Sequence, residues 1–314
     1  MKKKLVAGAV TLLSVVTLAA CANGTNKDIV TMKGDTITVS DFYNEIKTNQ
    51  GAQQVLFQMT INKVFEKEYG SKVSDKEVDK ELAKQKKQLG NQFDAYLAKQ
   101  GLTEETAKKQ IRSNMLLEYA VSQAAKKDIK ESDYKAAFES YTPEVTAQII
   151  KLDSEDKAKE VLEAAKAEGA DFAQIAKDNS TDTATKDKGG EVKFDSGTSG
   201  IPSQVKEAAF KLDENGISDV ITVSAGQNYS ASYYIVKLNK KTEKGSDWKK
   251  YEKRLKEIIV DGRKQDTNYI RSIIAKAMTN ANIKVKDDAF KSTFNQYLQN
   301  IGVQTSDSSS SSKK

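Results

Sequence analysis

Residues Lys177–Phe194 read KDNSTDTATKDKGGEVKF, a polar run that closes on Gly189 and Gly190 and then passes into an apolar alternation. Glycine is used where φ must be positive, and Asn, Asp, Ser and Thr side chains bond their own backbone in turns. The stretch therefore reads as a structured loop feeding a strand. It contains no His and no Cys, so any function it serves depends on what flanks it.

Working outward, the pattern changes at Thr142-Pro143. VTAQIIKL (145–152) is a β-type run, and Ser154 is placed to cap a helix carrying Val161, Leu162 and Ala165 that ends at Gly169. A second helix starts with DFAQIA and carries Phe172 and Ile175. After the loop come EVKFD, a short helix through Val205 and Phe210, Gly216, the run DVITV and a last strand YYIVKL over 233–238. Four strands and three helices in so short a segment predict an α+β domain.

The order of these pieces resembles the parvulin family of peptidyl-prolyl isomerases. The matching elements are Ala147-Gln148-Ile149-Ile150, Gly169-Ala170-Asp171-Phe172-Ala173, Ser180 to Thr185, Gly189-Gly190-Glu191-Val192, Ala208 to Leu212, Gly216-Ile217-Ser218 and Tyr233 to Val236. The resemblance implies a four-stranded antiparallel sheet with helices, and makes 177–194 the family's active-site loop, with Asp182 at its functional carboxylate or thiol. In the family, two buried histidines on the first and last strands hydrogen-bond each other beneath that group, while a Met and a Phe help to form a proline slot. Catalysis needs no covalent step: the X-Pro bond rotates over a barrier of ~18–20 kcal/mol, and the enzyme holds the ring and stabilises the twisted amide.

The chain departs from that pattern. Aligned on the strand motifs, the histidine positions hold Gln148 and Tyr234; counting back from Phe210, the Met and Phe positions hold Ile201 and Val205. Gln148, Tyr234 and Asp182 are thus the expected catalytic positions, and Ile201, Val205 and Phe210 the expected substrate-binding ones. Either Gln148 and Tyr234 hydrogen-bond each other, or Tyr234 packs in the core. Asp182 either serves the site or caps a turn. A smaller residue at 205 implies a wider slot, and with both histidines replaced the resemblance implies isomerase activity that is weak or lost.

At the N-terminus, Lys2, Lys3 and Lys4 precede an uncharged run from Leu5 to Ala20, the two regions of an export signal. It ends in Leu18-Ala19-Ala20-Cys21, which resembles the bacterial lipobox and predicts lipid attachment at Cys21. Cys21 is the one cysteine in 314 residues, so no intrachain disulfide can form. The net charge is +6, of which the signal's three lysines account for half; so small a surplus argues against nucleic acid. With no His and no second Cys, zinc and iron sites are not expected, no cofactor is implied, and Ser-His-Asp or Cys-His catalysis is excluded.

Residues 40–141 read as helices. Ser74-Asp75-Lys76-Glu77 is a capping box with Val78, Leu82 and Leu89 behind it, and Thr103 caps a longer helix through Ala107, Ile111, Met115 and Tyr119. Helical periodicity resumes beyond Lys240 with Trp248, Tyr251, Leu255 and Ile258, and an extended NIKVK precedes Phe290 and Phe294. The expected organisation is a signal peptide (1–20), a helical foldase lobe (21–141), a parvulin-like domain (142–240), helices completing the lobe (241–303) and a disordered Ser-rich tail (304–314). The insertion of an α+β unit in a helical one, together with the lipobox, resembles the PrsA-type foldase lipoproteins of Gram-positive bacteria, the streptococcal ones in particular. That resemblance implies a foldase held on the extracellular face of the cell membrane, with unfolded or partly folded secreted proteins as partners, a homodimer being one open arrangement. Clefts lined by residues such as Phe57, Met59, Met115 and Tyr119 would take apolar client segments. The competing reading is a surface lipoprotein acting as an adhesin or solute-binding protein; a solute-binding protein needs two lobes of alternating strands and helices, and only the middle segment alternates.

Overall fold

The computed structural model describes residues 27–224 and 231–298. The signal segment, Cys21 and the Ser-rich tail lie outside them. The elements in chain order are β1 (Asp28–Met32), β2 (Asp35–Thr38), α1 (Val39–Ile46), α2 (Gln50–Tyr69), α3 (Asp75–Leu89), α4 (Phe93–Lys99), α5 (Glu104–Asp128), α6 (Glu131–Ser140), β3 (Val145–Leu152), α7 (Glu155–Lys166), α8 (Phe172–Asn179), β4 (Glu191–Phe194), α9 (Ser203–Lys211), β5 (Ile221–Val223), β6 (Ser232–Lys240), α10 (Glu252–Gln265), α11 (Thr267–Asn280) and α12 (Lys291–Leu298). They form two compact units, one of Met1–Glu68 with Ile274–Lys314 and one of Tyr69–Ile273.

The first unit joins the two ends of the chain. β1 and β2 make an antiparallel hairpin that turns through Lys33-Gly34, where Gly34 takes φ +88°. Thr38 then starts α1 through a reciprocal capping box with Asp41. α2 turns Phe57, Ile61, Val64 and Phe65 inward, and the C-terminal residues meet that stripe: Phe57 and Phe294 pack edge to face at 5.4 Å. Gln53 ties the same places together, donating to the Ala289 carbonyl (2.9 Å) and accepting from Thr293 Oγ1 (3.1 Å). NIKVK, read from sequence as extended, runs as irregular chain into α12.

In the second unit the helices are set by their caps. Ser74 and Thr103 cap α3 and α5 as the sequence predicts, the first with Glu77 in a reciprocal box. α5 packs against α3 and α10, and α10 against α6. Arg263 of α10 fixes that layer by donating to the Ala125 carbonyl (2.9 Å) near the end of α5 and to Asp133 (2.8 Å) on α6. The expected α+β segment follows as a four-stranded antiparallel sheet in the order β4-β3-β6-β5. One face, with Val145, Ala147, Ile149, Val236 and Leu238, packs on Val205 and Ala209 of α9. The other, with Ile150, Leu152 and Ile235, packs on Ala158, Val161 and Ala165 of α7 and Phe172 and Ala176 of α8.

Candidate functional site

The polar loop 177–194 is held at both ends by backbone. Thr181 N donates to the Lys151 carbonyl (2.8 Å), and Ile149 N donates to the Gly190 carbonyl (2.8 Å), so the loop leaves and rejoins the same strand, β3. The two glycines are required where they stand. Gly190 has φ +78° and lies so close to β3 that a Cβ there would sit 2.5 Å from the Ile149 carbonyl oxygen; at Gly189 (φ +66°) it would sit 2.7 Å from the Ala173 Cβ.

Inside the loop, Asp182 caps a turn. Its Oδ1 accepts from Ala184 N (3.1 Å) and its Oδ2 from Thr185 Oγ1 (2.7 Å), while its own N donates to the buried Ser180 Oγ (3.3 Å). Of the two sequence readings for Asp182, the turn cap is present. It does not exhaust the carboxylate, because its charge also bears on Tyr234. Burial pushes the Tyr234 hydroxyl above its ordinary value, and the carboxylates of Asp182 and then Asp153 push it further in the same direction. The phenol near the start of β6 is therefore neutral and a hydrogen-bond donor at physiological pH.

Gln148 and Tyr234 are not brought together. The β3–β6 register sets Gln148 opposite Lys237 and Tyr234 opposite Lys151, with Ile149 opposite Val236. Side chains alternate along a strand, so Gln148 points to the α7–α8 face and Tyr234 to the α9 face. The hydrogen-bonded pair expected between them cannot form. Gln148 instead donates its Nε2 to the Gly189 carbonyl (2.9 Å) and anchors the 177–194 loop. On β3, Lys151 stands directly across from Tyr234 and Ile149 lies diagonal to it on the same face, within the apolar cluster on which Tyr234 packs.

The expected substrate-binding residues do converge. Ile201, Phe210 and Tyr234 are half-buried around the α9-side cluster, and Phe210 packs on Phe194 with ring centroids 5.7 Å apart. Val205 is the exception. It is fully buried among Val145, Ala147 and Val236, so it forms the floor under the other three and offers no surface of its own to a ligand. The arrangement presents an apolar patch with one phenol donor and one nearby carboxylate, chemistry suited to holding a proline ring beside a polar amide. Cys21 lies outside the described residues. Among the described residues no cluster of three His, Cys, Asp or Glu could hold a metal ion.

The four residues expected to line client clefts are divided: Phe57 and Met59 belong to the first unit, Met115 and Tyr119 to the second. Phe57 is buried, whereas Met59 is half exposed. The first unit has its own groove of about 790 Å³, lined by Tyr43, Val55, Leu56, Met59, Ile283 and Val285 among others.

The domain model that matches is the rotamase, or PPIC-type peptidyl-prolyl isomerase domain, over residues 141–240. The foldase protein PrsA of Streptococcus sanguinis is 61% identical over 96% of this chain and 90% of its own length, and that of Streptococcus gordonii is 60% identical over the whole of both chains. The chain belongs to the PrsA foldase family. The crystal structure of the foldase protein PrsA from Streptococcus pneumoniae superimposes with a TM-score of 0.81 at 54% identity, covering 86% of this chain and 99% of that one. The Lactococcus lactis foldase protein follows at 0.65 and 38% identity. The α+β architecture and the foldase role read from the sequence are both borne out. As a PrsA foldase the chain acts as a chaperone on proteins that have not reached their folded state.

Proposed function

We propose that the chain is a lipid-anchored foldase of the extracellular membrane face, attached through Cys21, in which the first unit holds client segments and the parvulin-like domain (142–240) is a binding module with weak isomerase activity or none. The observation that carries this is the distribution of apolar surface. Among the described residues nine large hydrophobic side chains are exposed, and three of them, Tyr43, Val55 and Met59, line one groove of the first unit. Soluble proteins rarely leave such surface open without a partner for it. The groove beside Val55 and Met59 is concave and apolar, and Lys284, Lys286 and Asp287 at its margin keep its edge soluble. Weak isomerase activity is supported by Gln148 and Tyr234 standing at the family's two histidine positions, with side chains on opposite faces of the sheet.

The test compares the full mature chain with Val55→Glu/Met59→Glu in suppressing aggregation of a chemically unfolded protein, and with Asp182→Ala on an X-Pro peptide. The groove variant should lose most of the protection while keeping its helical signal, and Asp182→Ala should leave protection unchanged. Full protection by the groove variant would place client binding elsewhere. Sedimentation at rising concentration reads separately whether two copies pair through this surface.

A further inference from the structure

The β1–β2 hairpin carries exposed apolar side chains but has no slot in which to hold a peptide. Ile29, Val30, Met32 and Ile37 are each 40% to 50% exposed, and Phe42, at the start of α1, is 52% exposed. The register pairs Val30 with Ile37 and Met32 with Asp35, so Val30, Met32 and Ile37 project from one face of a two-stranded ribbon, which carries the Asp35 carboxylate beside Met32 at its turn end. Every residue of β1 is exposed. None of these five side chains lines the groove of the first unit that takes client segments.

What distinguishes this face is its distance along the chain from Cys21. Only seven residues lead from Cys21 to Asp28, and a fully extended chain of that length reaches about 25 Å. A diacylglyceryl group on Cys21 would therefore hold the hairpin within one short tether of the lipid headgroups, where the effective concentration of bilayer is in the millimolar range or above. Lys27 and Lys33 flank β1 and balance the charges of Asp28 and Asp35, so the hairpin carries no net negative charge to repel anionic headgroups. We infer that the Val30/Met32/Ile37 face rests in the headgroup boundary of the membrane that carries the anchor, so that the protein is held at two points and the first unit is oriented rather than free to swing. The inference rests on the lipid-anchor reading of Cys21.

Because Cys21 is the only cysteine and Trp248 the only tryptophan, the test can be made on the full mature chain. In a Trp248→Phe background, Val30→Trp and, as a control, Tyr96→Trp are coupled through the Cys21 thiol to a maleimide headgroup lipid. The vesicles are phosphatidylglycerol and phosphatidylcholine with brominated acyl chains. Side chains of interfacial segments sit roughly 5–10 Å into the headgroup boundary, so the Val30→Trp emission should shift to the blue and lose about half its intensity to the bromine, the control losing little. An unquenched Val30→Trp on fully tethered protein overturns the proposal. So does a blue shift that grows with surface density without quenching, which would mean that a second copy covers the hairpin. Tethering is imposed chemically, so this result is independent of whether cells acylate Cys21. Mass measurement of the native protein reads that point, and absence of the diacylglyceryl mass would remove the anchor and the cellular setting together.

Discussion

Arg254 of α10 grips the carboxylate of Asp195 with two parallel hydrogen bonds, Nε to Oδ2 at 2.6 Å and Nη2 to Oδ1 at 2.8 Å. Asp195 immediately follows β4 and is almost fully buried, and it accepts as well from Thr198 Oγ1 (2.9 Å), Gly197 N (3.0 Å) and Tyr141 (3.2 Å). The pair fastens the loop between β4 and α9 to the helical layer of the same unit. A planar guanidinium is the group that can meet a carboxylate in this way.

Arg254→Ala should therefore destabilise the second unit by about 3 kcal/mol, because it leaves a buried carboxylate with its cation gone and only neutral donors in place. Arg254→Lys should recover less than half of that. Denaturant unfolding followed by far-ultraviolet circular dichroism checks both; a loss below about 0.5 kcal/mol, the scale of an ordinary surface ion pair, would contradict the role assigned to the pair.

The same contact sets an acid dependence. Burial alone would raise the Asp195 carboxyl, but the Arg254 and Thr198 hydrogen bonds, the Arg254 charge and the Tyr141 hydroxyl together hold it below its ordinary value of 3.8. A carboxyl depressed in the folded state contributes stability that is complete above the unfolded value and is lost as the pH falls through the lower folded one. The unfolding free energy should accordingly drop on acidification below pH ~4, and Asp195→Asn should flatten that drop. An unchanged acid slope in Asp195→Asn would assign it to other carboxylates.

At the loop, Gly190→Ala should cost more than Gly169→Ala. Both positions have positive φ (+78° and +72°), which costs about 1–2 kcal/mol for an L-residue. Only at 190 does the added methyl meet backbone, 2.5 Å from the Ile149 oxygen, whereas at 169 nothing lies within 4 Å. Equal midpoints for the two variants in thermal unfolding would mean that the loop yields without disturbing β3.

The contrast between these positions marks what the sequence could disclose. The capping residues Ser74, Thr103 and Ser154 and the glycine pair at 189–190 are local signals, and each sits where its chemistry predicts. Sheet parity is not local. Whether Gln148 or Ile149 faces Tyr234 depends on the β3–β6 register, and a slip of one residue reverses every side chain. The β1–β2 hairpin is absent from the sequence reading, which begins its helices at Ser40, because β1 is exposed throughout and β2 is only half-buried on one side, so neither carries a buried stripe to mark it. The groove of the first unit escaped for a third reason: Val55 and Ile283 are far apart in sequence, and only folding makes them neighbours.

Opposite faces also imply independence. Gln148→Ala removes a half-buried hydrogen bond to Gly189 and should cost about 1 kcal/mol, with Tyr234→Phe near neutral. In the double variant the two effects should add to within about 0.5 kcal/mol. A coupling energy above about 1 kcal/mol in equilibrium unfolding would show that the two side chains communicate after all.

Parity finally decides which substitutions could install the family's imidazole pair. A histidine at 148 would enter the α7–α8 face, across the sheet from a histidine at 234, whereas one at 149 would stand diagonal to it on the α9 face. Diagonal cross-strand neighbours are about 7–8 Å apart at Cα, within reach of two rings pointing the same way. Ile149→His/Tyr234→His should thus raise the rate of X-Pro exchange by about tenfold over the parent, equivalent to about 1.4 kcal/mol of barrier, and Gln148→His/Tyr234→His should not. Burying an imidazole at a position only 5% exposed lowers stability, by roughly 1–3 kcal/mol, so rates are compared below both melting transitions. Faster exchange in the Gln148→His pair than in the Ile149→His pair would overturn the assignment of Ile149 to the α9 face beside Tyr234 and, with it, the support that strand parity lends to the proposed weak isomerase activity.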